Sequence, residues 1–328
     1  MKLDVAWAIT HMKSIQFEKL WEISLNGYVT DKEEFVNTVF GGPLRKCRRK
    51  KLITQEGNKF GFSYNEVLTE PDTATQEFHS QGCHAIKTAI FALNNCQYLT
   101  KLCIECDIYE IHSSSDLQIR IAYLKELRLS NFQKKKHILF AEEIIKRCKD
   151  TLTSLYFSSC DETDLKPLKF SKALTHLAIE NCSLDTLEVI ATLEQLQHLE
   201  TENKDLLELV KAMKSLKSLK YSGSNLNCAN FKFPSSLTSL HFQESIRTAG
   251  LKTLLQIHPL IREVTLPIPS KRHQVAELLI EYKNIKFNFT YNHNVSQSMS
   301  FIDDFNLLYP KLKEQGDIRP INTKFQSY

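Results

Sequence analysis

A pattern of regularly spaced leucines recurs along the chain and constrains its fold more than any other feature. The complete unit, L-x-x-L-x-L-x-x-N/C-x-L, runs from Leu174 to Leu184. Aligned on its first apolar residue, the pattern starts at Leu99, Leu124, Leu152, Leu174, Leu196, Leu216, Leu237, Ile261 and, in degenerate form, Tyr282. Successive starts lie 20 to 28 residues apart, and a unit this short cannot bury its own apolar face. The period therefore predicts a solenoid, in which repeats stack and share one continuous core.

Each repeat combines a strand pattern with a helix pattern. Counted from the first apolar residue, positions four and six are apolar and alternate with polar residues, which predicts a short β-strand. Segments with helical spacing follow, at Ile138–Cys148, Leu184–Leu193, Leu206–Met213, Leu251–Ile257 and Val275–Tyr282. Because strands and helices differ in width, stacking them predicts a curved α/β solenoid with parallel strands on the concave face and helices on the convex face.

Position nine predicts how the chain leaves each strand. Asn or Cys at this position satisfies backbone groups in the turn, and Cys160 and Cys182 fit that role. Four later repeats depart from the pattern, with Lys204, Ser224, Ser245 and Pro269 at position nine. We therefore expect irregular turns in that half of the chain.

The segments outside the repeats predict the domain organisation. Residues 1–75 lack the repeat and predict a small helical or winged-helix-like domain, with two short helices between Val5 and Leu25. A capping box at Thr30–Glu33 predicts a further helix, and Leu52–Thr54 and Phe60–Ser63 predict a strand pair around a glycine-containing turn. We expect a connector and capping helix over residues 76–98, about nine repeats over 99–300, and a C-terminal cap and tail over 301–328.

Bulk properties limit the class of protein. The 328 residues carry a net charge of only +4, and no apolar stretch approaches the roughly 18 residues that a membrane-spanning helix needs. Nine cysteines, an odd number without paired spacing, favour reduced thiols over a disulfide framework. The first ten residues also lack the apolar core of a signal peptide. We expect a cytoplasmic or nuclear protein that does not bind membranes.

Sequence motifs give no support for catalysis. The common signatures for phosphate binding, dinucleotide binding, metalloproteases and serine hydrolases are absent. Cys103 and Cys106 form a C-x-x-C pair, and Cys83, His84 and Cys96 lie just upstream, so a zinc site is conceivable. The repeat argues against it, because it places Cys103 on the face opposite the core positions and Cys106 at the start of a turn. We therefore predict a non-enzymatic protein without a metal site or cofactor.

The best candidate binding site is the predicted concave face, where positions three, five and seven point to solvent. Over six repeats these are Glu126, Arg128, Ser130, Ser154, Tyr156, Ser158, His176, Ala178, Glu180, His198, Glu200, Glu202, Ser218, Lys220, Ser222, Ser239, His241 and Gln243. We predict partner contacts at Arg128, Tyr156, His176, Glu180, His198, Glu200, Glu202, Lys220 and His241. In this arrangement Arg128 and Lys220 flank a centre of acids and histidines.

A basic run before the predicted strand pair supports an alternative function. Six cations stand within seven residues, namely Arg45, Lys46, Arg48, Arg49, Lys50 and Lys51. Such a cluster can bind a phosphate backbone, so a nucleic-acid-binding N-terminal domain is the alternative hypothesis. Only this local stretch is basic, and aromatic residues are not interleaved with it.

The repeats resemble those of intracellular leucine-rich-repeat proteins such as F-box adaptor subunits, ribonuclease-inhibitor-like proteins and NOD-like receptors. The units starting at Leu152 and Leu174 carry the resemblance most specifically. The resemblance implies a protein-interaction module, either a ubiquitin-ligase adaptor or an innate-immunity sensor. The order of helices, Leu44, Leu52-Ile53 and Phe60–Phe62 looks like the winged-helix segment of NOD-like receptors, but their nucleotide-binding motif and the F-box opening are both missing.

Overall fold

The computed structural model describes part of the chain, in two compact units. The described residues are 2–4, 22–26, 51–55, 76–82, 85–106, 123–160, 165–181, 187–223, 231–244, 246–267, 278–279 and 281–290. The first unit is Met1–Leu193 and the second is Glu194–Tyr328. Each unit is described by itself below.

Among its described residues, the first unit contains eight parallel strands that pair in chain order. They are β1 (Lys2–Asp4), β2 (Glu22–Asn26), β3 (Lys51–Gln55), β4 (Glu77–Gly82), β5 (Lys101–Cys106), β6 (Glu126–Ser130), β7 (Ser154–Ser158) and β8 (His176–Glu180). The described helices of this unit are α1 (Ala85–Asn95), α2 (Lys135–Cys148), a 3₁₀ helix (Lys166–Phe170) and α3 (Leu187–Ala191).

The second unit continues the same alternation of strand and return segment. Its strands, also parallel and paired in chain order, are β9 (His198–Thr201), β10 (Ser218–Tyr221), β11 (Ser239–Phe242), β12 (Glu263–Pro267) and β13 (Lys286–Thr290). Two helices have both ends described, α4 (Lys204–Val210) and α5 (Thr248–Ile257). One parallel strand per repeat is the architecture of a leucine-rich-repeat solenoid, as the sequence predicts.

Alternating burial along each strand builds the core. In the repeat that starts at Leu174, Leu177 and Ile179 are buried at positions four and six, and the residues between them are not. The same positions are buried in β5, β6, β7, β9, β10, β11 and β12. The core therefore uses the same two positions in each of these strands. The residue type at position six varies, since Thr201, Tyr221, Phe157 and Phe242 replace leucine there.

Threonines at position two reinforce the backbone ladder where the chain enters the strands. The Oγ1 of Thr153 donates to the carbonyl of Lys125 at 3.0 Å, and that of Thr175 donates to the carbonyl of Thr153 at 3.1 Å. In the second unit Thr238 donates in the same way to Lys217 at 3.2 Å. Each carbonyl also accepts backbone N–H groups from the next repeat, so the start of each strand is fixed relative to its neighbour.

The helices predicted between the strands are present, with adjusted ends. The segment Ile138–Cys148 lies in α2, and the helix predicted over residues 184–193 is the shorter α3. The capping helix expected over residues 84–96 is α1, which packs against β4 and β5. Of the last predicted helix, residues 278, 279 and 281 are described and helical.

Two of the described segments before residue 83 differ from the prediction. Residues 22–26 form a strand where a helix was expected, because Ile23 and Leu25 alternate with polar residues at the period of a strand. Residues 77–82 form a strand rather than a connector, and Phe78 is its only large apolar residue, too weak a signal to detect. The predicted strand at Leu52–Thr54 exists, as part of β3.

The predicted strand pair around Gly57 is wrong for β3. Both edges of β3 are occupied by parallel neighbours, β2 and β4, so β3 cannot also form one arm of a hairpin. The other predicted arm, Phe60–Ser63, lies outside the described residues, as do the predicted helix after Thr30 and the cap and tail over 301–328. The predicted domain boundaries stay predictions.

Candidate binding face

The outward strand face is the side of each sheet that carries positions three, five and seven. Backbone register sets its side chains in rows that cross the strands. In the first unit one row contains Lys101, Glu126, Ser154 and His176, and the next contains Cys103, Arg128, Tyr156 and Ala178. None of these side chains is fully buried, so the predicted outward positions are confirmed as a surface.

Polar contacts within β6 and between β5 and β6 hold the Glu126 carboxylate of the first unit. Glu126 accepts from Arg128 at 2.8 Å and lies 3.1 Å from the Lys101 ammonium. Burial opposes ionisation of Glu126, but the hydrogen bonds from Lys101 and Arg128 outweigh it and lower its pKa. The carboxylate is therefore held ionised between two cations.

Three of the predicted site residues lie next to one another in the first unit. The Arg128 guanidinium lies 5.9 Å from the centre of the Tyr156 ring, within the range of a cation–π contact. The Tyr156 hydroxyl donates to Glu180 at 3.0 Å, and His176 is exposed beside Thr175, whose Oγ1 is 2.8 Å from its Nδ1. The result is a fixed aromatic and charged patch that extends across β6, β7 and β8.

The second unit carries the other predicted residues. Glu200 and Lys220 stand opposite each other on β9 and β10 and form an ion pair. His241 is the next residue in that row, and its pKa falls to about 4 because burial and then the Lys220 charge disfavour protonation. His241 is therefore neutral at pH 7 and presents a hydrogen-bonding ring rather than a charge.

The predicted centre of acids and histidines is divided by the boundary between the units. His176 and Glu180 belong to the first unit, whereas His198, Glu200 and Glu202 belong to the second. The predicted flanking cations are also engaged locally, Arg128 with Glu126 and Lys220 with Glu200. Within each unit the outward strand face therefore carries ion pairs between neighbouring residues, and the predicted centre of acids and histidines stays a prediction.

Several outward residues escaped the sequence prediction. Lys101 holds Glu126 from the preceding strand, and at the other end Glu263 accepts from Lys286 at 2.7 Å and from Asn288 at 2.8 Å. The hydrogen bond from Lys286 is the main reason that the pKa of Glu263 is lowered. The same alternation would have identified these positions if it had been extended to β5, β12 and β13.

Cys103 lies where the repeat predicts, whereas Cys106, predicted at the start of a turn, is the last residue of β5. Cys103 is half-buried on the outward face, and burial raises its pKa to about 11 despite the nearby Arg128 and Lys101 charges. Cys106 is buried, as are Cys96, Cys148 and Cys160. Within the described ranges no group of three or more His, Cys, Asp or Glu side chains is arranged to hold a metal. Cys83 and His84 lie outside those ranges.

The basic run of the alternative hypothesis is not part of this face. Residues 45–50 lie outside the described residues, and Lys51 is the first residue of β3. The nucleic-acid hypothesis therefore stays a prediction. Among the helices that the structure describes, none is long and apolar enough to cross a membrane.

Comparisons with known proteins add little to this geometry. No protein-family model matches the chain, and no curated protein matches it. Among solved structures, the chain is similar to an internalin from Listeria monocytogenes, at 16% identity over 83% of this chain and 74% of that one, with a TM-score of 0.29. The fold assignment accordingly rests on strand register and alternating burial.

Proposed function

We propose that this protein is a non-enzymatic interaction module that recognises a partner protein through its outward strand faces. The observation that carries the proposal is the set of polar and aromatic side chains held in register across neighbouring strands, above all Arg128, Tyr156 and Glu180. Proteins of this architecture use such extended rigid surfaces for binding. The leucine-rich-repeat pattern of the sequence supports the same role.

Preorganisation is what makes the face suited to recognition. Binding normally costs about 0.5–1.5 kcal/mol for each flexible side chain that is immobilised. On this face Tyr156 is already held between Arg128 and Glu180, and Glu126 between two cations. A partner would therefore meet side chains that have lost most of their freedom on folding.

Two finer versions of the proposal differ in the partner. An adaptor in ubiquitin ligation would bind ligase subunits and a target protein, whereas an immune-type sensor would bind a foreign or stress-derived ligand. Both place the protein in the cytoplasm. Affinity capture from cytosolic extract separates them, since recovery of ligase subunits supports the adaptor.

The strand-face proposal is tested with matched pairs of variants in the first unit. Arg128→Ala with Tyr156→Ala removes the central contact pair, and Lys135→Ala with Lys146→Ala removes two exposed side chains from α2. Since buried hot-spot residues each contribute on the order of 2 kcal/mol or more to binding, the first pair should weaken capture of the partner at least about tenfold. Equal capture by both pairs would show that the partner binds elsewhere.

A further inference from the structure

A second surface borders the strand face where the chain enters the strands of the second unit. We define this amino rim by five exposed cations, Lys214, Lys217, Arg262, Lys283 and Lys286, and by Leu260 among them. Backbone hydrogen bonds place Lys217, Arg262 and Lys286 in one row, with Thr238 between Lys217 and Arg262. The carbonyl of Lys217 accepts from Thr238, that of Thr238 from Arg262, and that of Arg262 from Lys286.

Few acids oppose these cations among the described residues of the rim. Glu194 lies at one end, and Glu263 is bound by Lys286 and Asn288. Glu281, close by in the chain, is paired with Lys252 at 2.7 Å. For the Lys217 ammonium and the Arg262 guanidinium, the described part of the chain shows no ion pair. The rim therefore carries an excess of positive charge.

The corresponding rim of the first unit has a different character. Its described cations Lys101, Lys125 and Lys172 are balanced by Glu77, Glu126 and Asp150. Two tyrosines are exposed there instead, Tyr98 by 55% and Tyr123 by 72%. A basic rim is thus not a general consequence of the repeat, because the same positions in the other unit are neutral and aromatic.

An exposed apolar side chain lies within the basic rim. Leu260 is 48% exposed, and it follows the exposed Pro259 just before β12. Between the cations that precede β10 and the cation that precedes β12 stand Ser235, Ser236 and Thr238, which are small. No exposed aromatic side chain is found on this rim within the described residues, and stacking on aromatic rings is what binding of single-stranded nucleic acid requires.

We propose that the amino rim of the second unit binds an acidic protein segment that places an apolar side chain on Leu260. Three steps between strands of about 4.8 Å separate β10 from β13, so an extended stretch of about five residues covers the rim. Its carboxylates meet Lys217 and Arg262, and their attraction is screened by salt. This surface lies beyond the strand face and does not depend on it.

The probe is a fluorescent twelve-residue peptide with glutamates on both sides of a central leucine, added to the full-length protein at low salt. Its control is the same peptide with every glutamate replaced by glutamine. Fluorescence anisotropy should show the acidic peptide binding at least about tenfold more tightly, with an advantage that declines as salt is added. Equal affinity of the two peptides would overturn the proposal.

Matched variants locate the site. Lys217→Glu with Arg262→Glu should weaken binding of the acidic peptide about tenfold or more. Lys204→Glu with Arg247→Glu makes the same charge change at exposed positions that follow β9 and β11. These positions lie at the opposite ends of the strands from the amino rim, so the change should alter binding less than about twofold once salt screens distant charges. Leu260→Ser should weaken binding a few-fold. Equal losses in the two charge-reversed proteins would mean that net charge alone acts, and the proposal would be wrong.

Single-stranded DNA of the same charge distinguishes the other class of partner. If the DNA binds more tightly than the peptide and loses affinity in Lys217→Glu with Arg262→Glu, the rim is a nucleic-acid surface and the proposal fails. These variants leave Arg128 and Tyr156 intact, so failure here would leave the strand-face proposal standing. Failure of the strand-face variants would equally leave the peptide result standing.

Discussion

The two units bury the same repeat positions but leave their strands in different ways. In the first unit the residue at position eight has a positive φ in three successive repeats, at Asn131 (63°), Ser159 (53°) and Asn181 (54°). In the second, the equivalent Asn203 has a φ of −79° and caps α4, its side chain accepting from the amide of Asp205 at 2.8 Å. The difference shows that the buried alternation, and not the turn, maintains the register.

The residue at position nine also has a different role in the two units. The strands β6, β7, β8, β12 and β13 have five residues each, whereas β9, β10 and β11 have four. In the first unit Cys160 at position nine closes the turn, since its thiol lies 3.4 Å from the Ser158 carbonyl and 3.6 Å from that of Leu129. In the second, Lys204 at position nine is already the first residue of a helix. The turn expected to be irregular is therefore a direct entry into α4.

The largest predicted effect tests whether both units depend on position four. Leu177→Ala in the first unit and Leu219→Ala in the second should each lower the free energy of unfolding by about 2–5 kcal/mol, through lost burial and a cavity. Ala178→Ser, at an outward position, should cost less than about 0.5 kcal/mol. Urea denaturation provides the values. A small loss for only one of the leucines would mean that the units do not share a core pattern.

The exit from β10 depends on a glycine. A Cβ at Gly223 would overlap the Tyr221 hydroxyl and the carbonyl oxygen of Glu202. Gly223→Ala should therefore destabilise the protein by about 1–3 kcal/mol, the usual cost of overpacking. Ser222→Ala is the control, because the buried Ser222 hydroxyl has no hydrogen-bond partner among the described residues. Equal melting temperatures for the two variants would contradict the close contact.

Each unit also contains a histidine whose protonation in acid should destabilise the folded protein. Burial, followed by the Lys134 charge, lowers the pKa of His137 to about 4, and burial with Lys220 does the same for His241. In the unfolded chain the histidine pKa is near 6.5, so between about pH 4 and 6.5 the unfolded state binds more protons than the folded state. Stability therefore falls as the pH drops from about 6.5 to 4.

Replacing either histidine by Asn should remove its share of this loss, on the order of 1–2 kcal/mol. The measurement is urea denaturation at pH 7 and at pH 4.5 for wild type and each variant. If both variants lose as much stability as wild type over that range, neither histidine is the group that titrates.

The smallest effect concerns the turns of the first unit. Ser159 adopts the left-handed conformation that Asn tolerates better, and Asn occupies the same position in the repeats on either side. Ser159→Asn should therefore raise the free energy of unfolding by about 0.5 kcal/mol. Asn203→Ser, at the corresponding position of the second unit, keeps the cap and should be nearly neutral. If Ser159→Asn lowered the free energy of unfolding, backbone strain at position 159 would not be what limits the stability of this turn.

The sequence specified the fold where the period was strong. Eight strands from β5 to β12 follow from the leucine spacing, since each buries two residues at fixed positions. The start assigned to the last repeat was two residues early, because Lys286 and not Asn284 stands opposite Glu263. Of the strands before Leu99, β3 was predicted at Leu52–Thr54, whereas β1, β2 and β4 were missed because long segments without the pattern separate these strands.

The sequence predicted the candidate site less completely than it predicted the fold. Alternation correctly separated outward from buried residues such as Ala178 and Leu177, but pairing across strands depends on the register between repeats. The Glu126 contact with Lys101 and the Glu200 contact with Lys220 follow from that register alone. Hence the sequence predicted which residues face outward and not which of them neutralise each other.

The most direct test of partner recognition by the strand face exchanges the members of one ion pair. Glu200→Lys combined with Lys220→Glu keeps opposite charges facing each other, because β9 and β10 hold these residues in register. The stability of the double variant should stay within about 0.5–1 kcal/mol of wild type, the scale of a surface pair. Its affinity for a captured partner should nevertheless fall about tenfold or more, since the charges now stand on the wrong strands. Unchanged affinity in a correctly folded double variant, together with unchanged affinity in the Arg128 and Tyr156 variant, would contradict the proposal that the outward strand faces recognise the partner.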